Sequence, residues 1–157
     1  MNEITPFLWF DDRAEEAVAF YTSVFPNSGV DNVAHYGEGG PGEAGTVMSI
    51  EFHLNGRPFV ALNGGPIYTF TPAISFAIAC ETQAEVDRLW DRLTDGGQPV
   101  QCGWLTDKFG LSWQVVPKRF FELMDTEDAD QRKRVMEAML EMVKFDVAAL
   151  ERAAVNA

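Results

Sequence analysis

Apolar and polar residues alternate along this chain in blocks whose order is typical of mixed α and β structure. The apolar run from Ile4 to Phe10 predicts a first strand. Asp12, followed three positions later by Glu15, indicates a carboxylate cap at the start of a helix. Four apolar residues at helical spacing support that helix: Ala17, Phe20, Tyr21 and Val24.

Three further strands are predicted after this helix, over residues 30–36, 46–54 and 58–62. Asn55 and Gly56 separate the last two of these strands. The pair favours the positive φ angles of a two-residue hairpin turn. The N-terminal part of the chain therefore predicts one β-α-β-β-β unit.

The same order of elements then begins again. Residues 73–80 predict a strand, and Thr82 with Glu85 indicates the capping box of a second helix. The apolar residues of this helix repeat the spacing of the first helix: Val86, Leu89, Trp90 and Leu93. Short strands are predicted over 99–102, around Trp104 and over 111–116, which completes a second unit.

The sequence thus predicts an α+β protein of paired β-α-β-β-β modules with a C-terminal helical extension. Module one covers about residues 1–66, module two about 70–117 and the tail about 118–157. The tail predicts a helix over 118–124 and a longer one over 128–154. An apolar stripe on the longer helix indicates either packing within the chain or a homodimer contact, and we expect the homodimer.

A sheet that one helix covers on one face leaves its other face open. Two such sheets placed side by side would enclose a cleft. An apolar cleft with a few polar side chains is the usual form of a small-molecule site. The predicted fold therefore indicates that a small-molecule site would be formed by residues on the strands of the two modules.

Composition excludes several classes of partner. The chain has 157 residues and a formal charge of −12, which would repel both nucleic acid and anionic membranes. No run of residues reaches the roughly 18 apolar positions that a bilayer span needs. The N-terminus lacks a basic segment followed by an apolar run, so we expect a cytoplasmic protein whose two cysteines are free thiols.

Several long motifs resemble one known family. They are Ile4-Thr-Pro-Phe-Leu-Trp-Phe, Phe59-Val-Ala-Leu-Asn-Gly-Gly-Pro, Cys102-Gly-Trp-Leu-Thr-Asp-Lys-Phe-Gly and Ser112-Trp-Gln-Val-Val-Pro. Together they resemble the PhnB-like branch of the vicinal oxygen chelate superfamily, which includes glyoxalase I, extradiol dioxygenases and the bleomycin and fosfomycin resistance proteins. The resemblance spans nearly the whole chain and implies the glyoxalase/bleomycin-resistance type of paired modules, often as a dimer. It does not imply one reaction.

Members of this branch are often described as 3-demethylubiquinone 3-methyltransferases. Methyl transfer from a nucleoside donor is usually associated with a glycine-rich turn between a strand and a helix, and the sequence contains none that is suitable. We therefore do not expect methyl transfer.

The enzymes of the superfamily hold a divalent metal through side chains on the first and last strands of each module. The resemblance carries these positions onto Thr5 or Pro6, Asn63 or its neighbour, Ser75 and Gln114. None of them is His, Asp or Glu, so we expect neither a metal nor another cofactor. Glu51 and His53, two positions apart on one face of a strand, would offer an alternative pair of ligands.

No residue is assigned a catalytic role from the sequence. Asp107 would suit a general base, but its spacing to Gly110 is that of a turn between strands. Cys102 is interpreted either as a small strand residue or as part of the pocket.

The predicted function is binding of a small organic ligand without a metal. The alternative is a metal-dependent, glyoxalase-like lyase or isomerase. Seven residues are predicted to line the ligand site: Phe7, Trp9, Asn63, Ser75, Cys102, Trp104 and Gln114.

Overall fold

The computed structural model describes residues 3–155, which divide into two compact units between Phe70 and Thr71. Each unit contains a four-stranded sheet and follows the predicted β-α-β-β-β order. The α+β fold class with glyoxalase-type modules is therefore confirmed. Within these residues, no helix has the length and apolar character needed to cross a bilayer.

The first unit contains four strands and one helix: β1 (Phe7–Phe10), α1 (Ala14–Val24), β2 (Gly29–His35), β3 (Val47–Leu54) and β4 (Arg57–Asn63). The strand order is β1-β4-β3-β2, with β1 parallel to β4 and the other pairs antiparallel. Asn55 and Gly56 have φ angles of 50° and 76°, which confirms the predicted hairpin turn.

Alternation along the strands of the first unit decides which residues face α1. Leu8 and Phe10 on β1, Ile50 and Phe52 on β3 and Ala61 on β4 are buried, while the residues between them point to the opposite face. The opposite face carries no helix of this unit. We call it the open face of the first sheet.

The second unit repeats this plan and adds three helices: β5 (Ser75–Cys80), α2 (Gln83–Thr94), β6 (Gln98–Pro99), β7 (Trp104–Thr106), β8 (Ser112–Pro117), α3 (Lys118–Met124), α4 (Ala129–Leu140) and α5 (Val147–Val155). The strand order is β5-β8-β7-β6, and β5 is parallel to β8. Leu105, Trp113 and Val115 are buried on the side of α2. The other side is the open face of the second sheet.

The two predicted helix caps have different outcomes. Thr82 caps α2 as predicted, because its hydroxyl accepts a hydrogen bond from the Glu85 N–H at 3.2 Å. The predicted cap at Asp12 is wrong: α1 begins at Ala14, and its N–H donates to Oδ1 of Asn63 at 2.9 Å. A residue from the end of β4 therefore replaces the local cap.

The single tail helix predicted over 128–154 is also wrong, because α4 ends at Leu140 and α5 begins at Val147. Between them, the carbonyl groups of Met142 and Val143 accept hydrogen bonds from the N–H groups of Cys102 and Gly103. These bonds use backbone carbonyls that a continuous helix would occupy itself. Pairing with the turn before β7 thus divides the helix.

Burial inside the unit accounts for part of the predicted tail stripe. Val135 of α4 and Leu150 of α5 are fully buried, and Phe145 between the helices is 2% exposed. Met136 and Leu140 on α4 remain accessible. The stripe therefore packs within its own chain and leaves a smaller apolar surface.

Candidate functional site

Three of the predicted site residues lie together on the open face of the second sheet. In the strand register, Gln114 on β8 pairs with Trp104 on β7 and with Ala77 on β5. Ser75 precedes Ala77 by two positions and shares its face. The fold thus brings Ser75, Trp104 and Gln114 to one surface although they are far apart in sequence.

The polar side chains on this face are joined by a specific contact. The side-chain amide of Gln114 donates a hydrogen bond from Nε2 to Oγ of Ser75, at 2.9 Å. Trp104 lies directly opposite Gln114 across the β7–β8 pair, where facing Cβ atoms are about 5 Å apart. Both Gln114 and Trp104 are partly exposed. The amide and the indole therefore stand side by side on an accessible surface.

No charged residue points from β5, β7 or β8 onto this open face. Its other members are Ala77, Ala79 and Thr106, which are at least partly exposed, and Ser112 and Val116, which are buried. A hydroxyl, an amide and an indole form hydrogen bonds and stack on flat ligands, but they do not exchange protons near neutral pH. The arrangement therefore suits binding.

Two more predicted residues share the open face of the first sheet. Phe7 is 63% exposed, and Trp9 is partly exposed. The indole N–H of Trp9 donates to the carbonyl of Gly65 at 2.8 Å, and its ring meets Tyr68 edge to face with centroids 5.0 Å apart. Trp9 is therefore held in place by the segment that follows β4, while Phe7 is free to contact a ligand.

Asn63 does not lie on that open face. Its side chain points toward α1, where it accepts from Ala14 and donates to Glu15 at 2.8 Å and to the Val47 carbonyl at 3.1 Å. All of its amide groups are thus engaged within the unit. The structure gives Asn63 a role in holding α1 to the sheet.

A cavity of about 410 Å³ opens near Asn63, beyond the ends of β1 and β4. Four carboxylates line it, on Asp11, Asp12, Glu15 and Glu43. The Tyr36 ring forms one wall, and Gly42 packs so closely that a Cβ there would lie 2.3 Å from that ring. The negative charge of this cavity disfavours anionic ligands.

Cys102 lies between β6 and β7, so the interpretation as a strand residue is wrong. It has a φ angle of 58°, in the left-handed region, and its N–H bonds to the carbonyl of Met142. Its side chain is partly exposed, and both cysteines are free thiols. The structure therefore ties the backbone of Cys102 to the tail.

Glu51 and His53 lie on the open face of the first sheet, as their spacing predicts. The structure adds Asp31, whose carboxylate contacts His53 Nδ1 at 2.9 Å and 3.0 Å. The sequence does not reveal this partner, because the contact depends on the register between β2 and β3. Within residues 3–155, no group of three or more His, Cys, Asp or Glu residues is arranged to hold a metal ion.

Asp107 is 3% exposed and forms the turn that its spacing to Gly110 predicts. Oδ1 accepts from the N–H groups of Phe109 and Leu111, and Oδ2 accepts from the indole N–H of Trp113 at 2.8 Å. A carboxylate enclosed by three donors is committed to holding the loop. Its position makes it a structural residue.

Comparison with known proteins agrees with this architecture. A family model described as 3-demethylubiquinone-9 3-methyltransferase matches residues 2–116. A PhnB protein from Bacillus cereus is 39% identical, with a TM-score of 0.68, over 74% of this chain and 99% of that chain. No curated protein matches the chain.

More distant structures share the fold. Protein PA1353 from Pseudomonas aeruginosa is 21% identical with a TM-score of 0.62, over 74% of this chain and 98% of its own. The fosfomycin resistance protein FosX from Listeria monocytogenes, in complex with Mn(II) and sulfate, is 15% identical with a TM-score of 0.51, over 74% and 89%.

Proposed function

The chain belongs to the family described as 3-demethylubiquinone-9 3-methyltransferase, in the vicinal oxygen chelate superfamily, and from this premise we propose that it binds a small organic molecule without a catalytic metal. The ligand site lies on the open face of the second sheet, around Ser75, Trp104 and Gln114. We also propose that the protein is cytoplasmic, as expected from the sequence. Phe7 and Trp9 offer a further apolar surface on the first sheet.

The observation that carries this proposal is the hydrogen bond between Gln114 and Ser75 beside the Trp104 ring. The superfamily resemblance implies metal ligands at the positions of Ser75 and Gln114. A hydroxyl and a neutral amide are weak ligands for a divalent transition metal, and here they bond to each other. The same groups are well suited to orient an organic ligand through hydrogen bonds and stacking.

The description of the family as a methyltransferase does not carry over to this chain. Its strand-to-helix turns are Asp11 to Arg13, between β1 and α1, and Glu81 with Thr82, between β5 and α2. Neither contains glycine, and both begin with a carboxylate. They differ from the glycine-rich turns that allow a backbone to approach a nucleoside closely.

A metal-dependent lyase or isomerase is the second candidate. The contact between Asp31 and His53 favours it because imidazole and carboxylate groups are good metal ligands. Elemental analysis of freshly purified protein separates the two candidates. Stoichiometric Zn, Ni, Fe or Mn that His53→Ala removes would support the enzyme and contradict metal-free binding.

Screening a fragment library against the ¹⁵N-labelled protein tests the main proposal. We expect hits that shift the resonances of Ser75, the Gln114 amide and the Trp104 indole, and that raise the melting temperature. Gln114→Ala should abolish these effects, whereas Glu127→Ala, at an exposed position between α3 and α4, should leave them unchanged. A library that shifts none of the three residues would refute the proposal.

We also propose that the protein is a homodimer. Phe121, Leu140 and Val143, all in the tail that follows β8, are 54%, 58% and 42% exposed, and exposed apolar side chains are suited to a contact with a second copy of the chain. Light scattering during size-exclusion chromatography should give twice the monomer mass of 17.5 kDa. Leu140→Lys should shift the distribution toward monomer.

A further inference from the structure

The contact between Ser75 and Gln114 leaves specific hydrogen-bonding groups unused. Gln114 donates from Nε2 to Oγ of Ser75, so its Oε1 retains both acceptor lone pairs. The Ser75 hydroxyl accepts this bond and keeps its own proton for another acceptor. Within residues 3–155, no further side-chain hydrogen bond engages either residue. One acceptor and one donor are therefore presented together.

These unused groups are accessible to a ligand. No buried side-chain nitrogen or oxygen atom in the described part of the chain lacks a partner, so the unpartnered Oε1 of Gln114 is accessible to solvent. Ser75 is partly exposed. Ala77, beside Gln114 on β5, has only a methyl side chain and is exposed. Trp104 lies on the other side of Gln114. A flat molecule that lies over the methyl group of Ala77 would contact both the side-chain amide of Gln114 and the indole of Trp104.

Charge narrows the class of ligand further. A carboxylate or phosphate would find no cationic side chain on this face and would be repelled by a chain of net charge −12. A cationic ligand would find no carboxylate there. The ligand that best matches this face is therefore uncharged.

We propose that the open face of the second sheet recognises a planar, neutral ligand with a lactam-type edge. This inference rests on the proposed function and names its ligand class. The ligand N–H donates to Oε1 of Gln114, and the adjacent ligand carbonyl accepts the Ser75 hydroxyl proton. The ring system stacks against Trp104, as aromatic side chains do with flat partners. Cyclic amides, imides and nucleobase-like heterocycles have this edge.

Three probes of nearly equal shape test the assignment. 2-Quinolone has the complete edge, N-methyl-2-quinolone has lost the donor, and naphthalene has lost both polar groups. Titration of ¹⁵N-labelled protein with 2-quinolone should shift Ser75, the Gln114 side chain and the Trp104 indole. We expect N-methyl-2-quinolone to bind about tenfold more weakly, because the bound ligand would cover Oε1 of Gln114 without donating a hydrogen bond to it.

Variants distinguish an edge contact from general apolar binding. Gln114→Leu should weaken binding of 2-quinolone and remove the difference between it and its N-methyl derivative. Ser75→Ala should weaken both quinolones to a similar extent, because both present the carbonyl. Glu127→Ala, at an exposed position between α3 and α4, serves as the control and should leave all three affinities unchanged.

These experiments distinguish failure of the lactam assignment from failure of the proposed ligand-binding function. Equal binding of all three probes at these residues would overturn the lactam assignment and leave the proposed function standing. Fragment hits at the same residues without any response to 2-quinolone would do the same. If neither the fragments nor the probes shift Ser75, Trp104 or Gln114, the proposed function fails together with the assignment.

Discussion

Asn63, the last residue of β4, accepts a hydrogen bond from the N–H of Ala14, the first residue of α1, at 2.9 Å. Forty-nine positions of sequence separate the two residues. Helices begin with unpaired N–H groups that a nearby side chain usually satisfies, and here the sheet supplies that side chain. The start of α1 is therefore fixed by tertiary contact.

Replacing Asn63 should destabilise the first unit. Asn63→Ala removes the acceptor for Ala14 and the donors to Glu15 and Val47, which we expect to cost about 1 to 2 kcal/mol. Urea denaturation followed by circular dichroism would measure the change. Asn32→Ala, at an exposed position on β2, is the control and should change stability by less than about 0.5 kcal/mol.

The two predicted caps should differ in their energetic contribution. Thr82→Ala removes the hydroxyl that accepts from Glu85 and should cost about 1 kcal/mol. Asp12→Ala removes no cap and should change the free energy of unfolding by less than about 0.5 kcal/mol. Chemical denaturation of both variants is the test. Equal losses would show that Asp12 caps α1 in solution after all.

Asp107 should contribute more to stability than any exposed carboxylate. Asp107→Ala would leave two backbone N–H groups and the Trp113 indole N–H without their acceptor, at a cost of at least about 3 kcal/mol. Tryptophan fluorescence during denaturation would report this loss. Asp95→Asn, at an exposed position after α2, should be nearly neutral. A stable Asp107→Ala protein would contradict the structural role.

Gly103 and Gly39 have similar backbone angles but different surroundings, so alanine substitutions at the two positions separate the cost of close packing from the cost of the backbone angle. The φ of Gly103 is 79°, and an added Cβ would lie 2.5 Å from the Phe145 ring. Gly103→Ala should therefore cost more than about 3 kcal/mol and loosen the tail. Gly39→Ala has a similar φ of 80° but open space, and should cost only about 1 kcal/mol. Similar losses in thermal denaturation would exclude the packing explanation.

The two thiols should differ in reactivity. Burial raises the pKa of the Cys80 thiol to about 12, because the ionised form is poorly solvated inside the unit. At pH 8, Ellman's reagent should therefore label Cys102 in the native protein and both cysteines after denaturation. Cys102→Ser should abolish the native reaction, and Cys80→Ala should preserve it.

The raised pKa also predicts how stability depends on pH. The unfolded Cys80 thiol ionises near pH 9, whereas the native thiol keeps its proton to about pH 12. The native state therefore binds more protons over this interval, and its stability should fall as the pH rises from about 9 to about 12. Cys80→Ala should lose less stability over the same interval than the wild-type chain.

Much of the architecture could be predicted from the sequence because local patterns determine it. The alternation that buries Phe52 and exposes its neighbours, the hairpin at Asn55 and Gly56, and the Thr82 cap each depend on residues close together in the chain. The same patterns recur in the second half of the chain, which is why the sequence predicts two modules. The turn at Asp107 is likewise determined by residues close together in the chain.

Other features required the folded chain because their partners are distant in sequence. Asn63 caps α1, Asp31 contacts His53, and the turn at Cys102 divides the tail helix, all through contacts that no local pattern encodes. The candidate site also depends on contacts between residues that are distant in sequence. Ser75 and Gln114 were predicted from the resemblance and Trp104 as a tryptophan on a predicted strand, whereas only the strand register placed the three on one face.

The sequence by itself determined the order of strands and helices within the two modules and the absence of strong metal ligands at the expected positions. These follow from side-chain chemistry and from periodicity over a few residues. The tertiary structure decided which hydrogen bonds Gln114 and Asn63 make, since such bonds depend on distances of about 3 Å between residues far apart in the chain.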